Sequence, residues 1–195
     1  FGGDVAVGAM TVLTSINQLV TMPLSGICQG GQPLISYNYG ARKRARMIEC
    51  VKRVCLYALC IMSAGTLIFQ TIPQVLLQLF NANNTLISVG VPALRIISLS
   101  FPIAAICIAL GGAFQATGKS VYSMLVSFVR QLIFLIPAAF VLALIGQNSG
   151  NSNLVWWSYP IAEVVSLAIS LFFYFRLHRT LLSKLPENGE TEDLA

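Results

Sequence analysis

The sequence predicts an all-α, polytopic transmembrane helix bundle, and three observations carry that prediction. Of 195 residues, 56% are hydrophobic and 10% are charged, against roughly 25% charged in ordinary soluble domains. The mean hydropathy of +0.76 is not the work of one apolar tail. Residues 5–41, 54–94, 96–118 and 131–162 each contain no Asp, Glu, Lys or Arg, and each exceeds the roughly 20 residues that a helix needs to cross a bilayer. Finally, basic residues concentrate in alternate connectors, as they do in chains that cross a membrane repeatedly.

Pro, Gly and Asn clusters divide the chain into about five spans, near 8–38, 54–80, 91–116, 120–145 and 154–177. Together they make one transmembrane unit over 1–180, followed by a polar tail over 181–195. The first and second spans are separated by a loop, 39–53, holding Arg42, Lys43, Arg44, Arg46, Lys52 and Arg53. An uncharged, Asn-rich connector over 81–85 follows the second span, and another over 146–153 follows the fourth. The third span carries Pro92, Pro102, Gly111, Gly112 and Gly118, a density expected of close helix packing or a bend, with Arg95 near its outer end. It is joined to the fourth by the short turn Gly118-Lys119. Trp156, Trp157 and Tyr159 mark the outer interface of the fifth span.

The positive-inside bias places 39–53, the Gly118-Lys119 turn and the C-terminal tail in the cytoplasm and the two Asn-rich connectors outside, so Phe1 starts outside. The opening Phe1-Gly2-Gly3-Asp4 has neither an initiator Met nor a cleavable-signal pattern. With an odd number of spans, this leads us to expect a fragment preceded by at least one helix.

The net charge of +5 does not indicate nucleic acid, because the basic residues flank bilayer-length segments without the interleaved aromatic platform that such binding uses. Cys28, Cys50, Cys55, Cys60 and Cys107 show no C-x-x-C spacing and read as packing residues, with His178 distant in the tail. No H-E-x-x-H, no G-x-S-x-G and no paired carboxylates occur in the spans, so an enzyme is not expected. A filter-like loop or ring of like charges, which a selective channel would need, is also missing.

Polar residues inside spans carry the functional information, since a polar side chain facing hydrocarbon is costly. Thr11, Ser15, Gln18, Met22, Ser25, Gln29, Gln32 and Ser36 recur at steps of three and four and so share one face of the first helix. Gln18, Ser25, Gln29 and Gln32 are candidate cavity contacts, with Gln115 a further one. Hydrogen bonding to neighbouring helices explains the stripe about as well. Ser120, Ser123, Ser127 and Arg130 share a face of the fourth span, which Pro137 continues at an expected kink. Tyr159, Glu163, Ser166 and Ser170 share a face of the fifth. At 1.5 Å per residue, Arg130 lies about 15 Å from the inner end of its helix. Glu163 lies about 17 Å from the inner side of a 30 Å core. Similar depth and opposite charge predict that the two are neighbours, acting either as a static brace or as a proton- or cation-coupling element.

Four segments, in order, are similar to the signatures of multidrug and toxic compound extrusion (MATE) transporters. They are Gln32-Pro33-Leu34-Ile35-Ser36-Tyr37-Asn38-Tyr39-Gly40-Ala41-Arg42, Gly112-Ala113-Phe114-Gln115-Ala116-Thr117-Gly118-Lys119, Arg130-Gln131 with Pro137, and Trp157-Ser158-Tyr159-Pro160-Ile161-Ala162-Glu163. The resemblance covers residues 1–180 and implies most of the C-terminal six-helix lobe of a twelve-span transporter in a bacterial-type cytoplasmic membrane. It further implies that the missing N-terminal lobe of the parent chain closes a central cavity. Export of drugs or small organic cations would then be exchanged for H⁺ or Na⁺, with no other cofactor. The sequence departs from the family in one respect: residues 93–117 lack the acidic residue that some members carry there. Related lipid-linked oligosaccharide flippases are the nearest alternative, and a non-transporting scaffold or channel subunit is the alternative of another class.

Overall fold

The computed structural model describes residues 3–80, 84–149 and 152–180, and all regular structure among them is helical. The polar tail expected at 181–195 and part of each Asn-rich connector lie outside the described residues. The elements are α1 (Gly3–Gly40), α2 (Arg44–Thr71), α3 (Pro73–Gln78), α4 (Asn84–Ser98) and α5 (Phe101–Ala116). α6 (Ser120–Phe128) then runs through a π-helical segment (Val129–Leu135) into α7 (Ile136–Ser149), and a 3₁₀ turn (Ser152–Trp157) leads into α8 (Ser158–Thr180).

α1 and α2 pack antiparallel because small residues let them approach. Gly31 faces Val54 and Gly65 faces Val20, so closely that a methyl group at either glycine would collide with the valine. The same face of α1 buries Leu13, Ile16, Leu24, Cys28 and Ile35. At one end of the bundle the first four join Met62, Phe69, Leu94, Ile97, Phe101 and Trp156 in a core. At the other end Ile35, Met47, Val51, Phe114 and Leu177 form a second, and there the basic residues gather, with Arg44 Nη2 3.3 Å from His178 Nε2. Of the two tryptophans that open the fifth span, Trp156 is a core residue and Trp157 is exposed.

Two helix ends at the basic end use one device. After α5, Gly118 takes φ +74°, Lys119 N–H reaches Phe114 O at 2.8 Å, and Gly118 N–H reaches Gln115 O at 3.1 Å, which is a Schellman cap. After α1, Arg42 stands at the equivalent left-handed position with φ 56°. Lys43 N–H there bonds Asn38 O at 3.0 Å and Arg42 N–H bonds Tyr39 O at 3.1 Å. The basic loop expected over 39–53 is therefore only a three-residue turn. Arg44, Arg46, Lys52 and Arg53 belong to α2, where Arg53 pairs with Glu49 at 2.7 Å. Arg and Lys are good helix formers, so a drop in hydropathy marks the edge of the hydrocarbon and not the end of the helix.

Prolines place the interruptions. Pro73 ends α2 and starts α3. Between α4 and α5 the axis bends by 52° because Pro102, in the first turn of α5, has no N–H to offer Ser98 O. The hydroxyl of Thr66 supplies that bond at 3.0 Å. Gln70 Nε2 donates to Arg95 O at 2.9 Å, which sets Arg95 level with the last turn of α2. Pro137 likewise leaves a carbonyl one turn back without its amide, and the backbone upstream widens to a π-helix in which Ile136 N–H reaches Gln131 O. The expected kink is thus absorbed before the proline.

Three helical stretches, Arg44–Thr71, Ser120–Gln147 and Asn153–Thr180, are long and apolar enough to span a membrane. The bent α4–α5 pair makes a fourth if it is one span. α1, whose 38 residues reach about 57 Å, carries its polar stripe along an otherwise uncharged segment. The close approach predicts opposite signs for two glycine substitutions in α1. Gly31→Ala destabilises the lobe by about 1–3 kcal/mol through overpacking against stiff Val54. Gly26→Ala, with nothing within 4 Å, stabilises it by about 0.5–1 kcal/mol through helix propensity. Thermal unfolding midpoints of the purified variants check both.

Candidate functional site

α1 has a buried face and an open one. On the open face Thr11, Gln18, Met22, Ser25, Gln29 and Ser36 are exposed, while Ser15 and Gln32 are half-buried. Towards the end away from the basic cluster, its hydroxyls are satisfied by their own helix: Ser15 Oγ donates to Thr11 O at 3.0 Å and Ser25 Oγ to Thr21 O at 2.9 Å. The side chains of Gln18 and Gln29 make no hydrogen bond among the described residues. Towards the basic end the stripe engages its neighbours. Gln32 Nε2 donates to Gln115 Oε1 at 3.2 Å, and Gln115 Nε2 donates in turn to Ser123 Oγ at 3.1 Å. Ser36 Oγ donates to Ala116 O at 2.9 Å. The structure therefore brings Gln32 and Gln115 together and leaves Gln18, Ser25 and Gln29 farther along the same face, open. Nothing charged stands on this face between Thr11 and Ser36.

Within the lobe, Arg130 Nη1 donates to Glu163 Oε1 at 3.0 Å. The side chains are 29% and 14% exposed, so this is a largely buried pair joining the π-helical segment to α8. Beside it lies a pocket of about 130 Å³ between α5, α6 and α8, whose polar lining is Cys107, Ser123, Ser127, Arg130, Ser166 and Ser170. Ser166 and Ser170 are buried; among the described residues their hydroxyls meet only the thiol of Cys107, and Glu163 Oε2 has no hydrogen-bond partner. Ser123, Ser127, Ser166 and Ser170 were legible from their helical spacing, but Cys107 read only as packing. The Thr66, Gln70 and Ser98 contacts at the α4–α5 break carried no sequence signal beyond Pro102. Among the described residues no group of three or more His, Cys, Asp or Glu could hold a metal.

The ion pair yields a prediction of non-additivity. Arg130→Met and Glu163→Gln each remove one member of a desolvated pair and destabilise the protein by about 3–5 kcal/mol, whereas the double variant loses less than either single variant. Chemical denaturation of the four proteins measures the coupling.

The MatE family model matches residues 1–141. The multidrug export protein MepA of Staphylococcus saprophyticus is 26% identical over 93% of this chain and 39% of its own length. MepA of Staphylococcus haemolyticus is 24% identical over 92% of this chain and 38% of its own. Among solved structures, the MATE multidrug transporter DinF-BH, in complex with rhodamine 6G, is 33% identical with a TM-score of 0.78, covering 95% of this chain and 40% of that one. The Vibrio cholerae MATE transporter VcmN in its bent form shares the fold at a TM-score of 0.84 and 16% identity, covering 94% of this chain and 41% of that one. The chain thus spans about two-fifths of the length of the relatives it matches. With an apolar helical bundle, a polar open face and a family match over residues 1–141, this chain belongs to the MATE family of multi-pass membrane transporters, which are not enzymes.

Proposed function

We propose that this chain is the C-terminal lobe of a secondary antiporter that exports drugs and small organic cations across a bacterial-type cytoplasmic membrane in exchange for H⁺ or Na⁺. Its C-terminus lies inside, and an N-terminal lobe of the same parent closes the cavity. The observation that carries this reading is the open, uncharged polar face of α1. The helix turns amides and hydroxyls away from its own core, where hydrocarbon would leave them unsatisfied. A cavity between two lobes gives that face water and a guest to bond.

Gln18, Ser25 and Gln29 offer donors and acceptors without charge, which suits varied aromatic and cationic guests; any counter-charge comes from the other lobe. Gln32 and Gln115, bonded to each other, form the cavity wall where α1 meets α5. The rhodamine dye bound to DinF-BH and the name of MepA support drug-like substrates. Arg130 and Glu163 serve as a bracing or coupling element. A flippase for polyanionic lipid-linked oligosaccharides fits less well, since the open face of α1 carries no cation and Arg130 is neutralised by Glu163. A scaffold or channel subunit has no use for gradient-driven flux.

Dye efflux from cells expressing the transporter that contains this chain, with the proton and sodium gradients collapsed separately, tests the reading. Efflux is expected to fail when one of the two is collapsed, and no dye movement under any condition contradicts antiport. Gln18→Leu and Gln29→Leu are each expected to raise the dye concentration for half-maximal efflux by about 2- to 10-fold, the worth of one hydrogen bond.

A further inference from the structure

We propose that the pocket beside the Arg130–Glu163 pair is a hydrated proton site, with Glu163 as the proton carrier and Ser166 and Ser170 holding its water, and that the coupling ion is therefore H⁺ and not Na⁺. This rests on the antiporter reading and deepens it.

Glu163, Ser166 and Ser170 recur on one face of α8; among the described residues Glu163 Oε2 has no hydrogen-bond partner, and the two serine hydroxyls have no oxygen or nitrogen partner. Several helical hydroxyls in the chain bond the carbonyl one turn back, as at Ser15, Ser25, Thr71 and Thr117. Ser166 and Ser170 forgo that bond, and the neighbour they share is the weakly hydrogen-bonding thiol of Cys107. Both line a pocket of about 130 Å³, where a single water needs only about 10–15 Å³ and two to four polar partners. Ser123, Ser127 and Arg130 complete the polar wall. Water in this pocket satisfies the two serines and touches Arg130, whose guanidinium holds the carboxylate at 3.0 Å.

Proton and sodium ion ask different things of such a site. A proton needs one lone pair, and Glu163 Oε2 has it free. A sodium ion would find hydroxyl oxygens in the pocket, but the carboxylate that would balance its charge is engaged through Oε1 by the guanidinium at 3.0 Å, which repels a second cation at short range. Glu163 is the sole carboxylate of the described residues from α4 to α8. The remaining titratable groups on the packed elements are Cys107 on α5, Tyr122 on α6, the exposed Arg95 on α4, and on α8 itself Tyr159 one turn away and, three turns or more towards the basic end, Tyr174, Arg176, His178 and Arg179; α7 and the 3₁₀ turn have none.

The step is a proton transfer from pocket water to Oε2. One O–H bond of the donor water breaks as the Oε2–H bond forms, a proton relayed from the aqueous side restores that water, and Arg130 keeps its proton. The ion pair becomes a neutral acid and a lone guanidinium, which turns to pocket water and the Ser123 and Ser127 hydroxyls. Arg130 stands in the π-helical segment Val129–Leu135, where the helix is already rewound and has register to give. Losing the pair thus frees the α6–α7 rod from α8, linking protonation to helix movement.

Difference infrared spectroscopy of the full transporter in liposomes, between alkaline and acid pH, tests this. A protonated-carboxyl band is expected on acidification, lost in Glu163→Gln and shifted in frequency in Ser166→Ala/Ser170→Ala, with exchange of sodium for choline at fixed pH leaving it unchanged. If Glu163→Gln does not fold, the serine variant decides. No band in the wild type, a band that survives Glu163→Gln, a band unmoved by the serine changes, or one removed by sodium each overturns the proposal. Absence of dye flux in the wild type under either gradient overturns the antiporter reading instead, independently of the infrared titration.

Discussion

Hydrocarbon offers no hydrogen bonds, and that constraint organises this lobe. Every polar atom buried in the bundle must find a partner in the chain, in water or in a guest. α1 meets the requirement by dividing itself lengthwise. One face, with Leu13, Ile16, Leu24, Cys28 and Ile35, closes on α2 and its neighbours, and the opposite face collects hydroxyls and amides. The glycines at 31 and 65 let the side chains of Val54 and Val20 seat directly against the facing helix, which holds the second face in a fixed orientation.

The same constraint explains how the interruptions survive. Pro102 and Pro137 remove amides from helices that have no water to replace them. At the α4–α5 bend, Thr66 and Gln70 from α2 reach across to the freed carbonyls, so the bend is tied to the neighbouring helix. At Pro137 the helix relieves itself by a π turn. Arg130 falls within that turn, and its pairing with Glu163 fixes the segment against α8. One interruption is clamped by neutral hydrogen bonds and the other by an ion pair whose strength depends on protonation. Only the second can respond to a proton.

Much of this was legible in the sequence because two periodicities survive without tertiary information. Steps of three and four located the faces of α1, α6 and α8, and the 1.5 Å rise put Arg130 and Glu163 at matching depth. What failed to show was anything that hydropathy conflates with helix extent. The basic residues after Lys43 continue α2 because charge ends a hydrophobic run without ending a helix. α4 begins well before the apolar segment that marked its span, and Trp156 turned inward because its neighbours Leu94 and Ile97 provide a core. The pocket needed three helices at once, so spacing named Ser123, Ser127, Ser166 and Ser170 without showing that they meet beside Cys107.

The central claim is that the open face of α1 looks into a water-filled, drug-accepting cavity and not into lipid. The direct measurement is the reaction rate of a water-soluble thiol reagent with Gln18→Cys, Ser25→Cys and Gln29→Cys, each in a transporter whose native cysteines have been replaced. Phe128→Cys, at an exposed apolar position, serves as the lipid-facing reference. Fast labelling at the three α1 positions, slowed by a saturating concentration of the rhodamine dye, is the predicted result. Labelling of Gln29→Cys as slow as that of Phe128→Cys, with no effect of the dye, would contradict it.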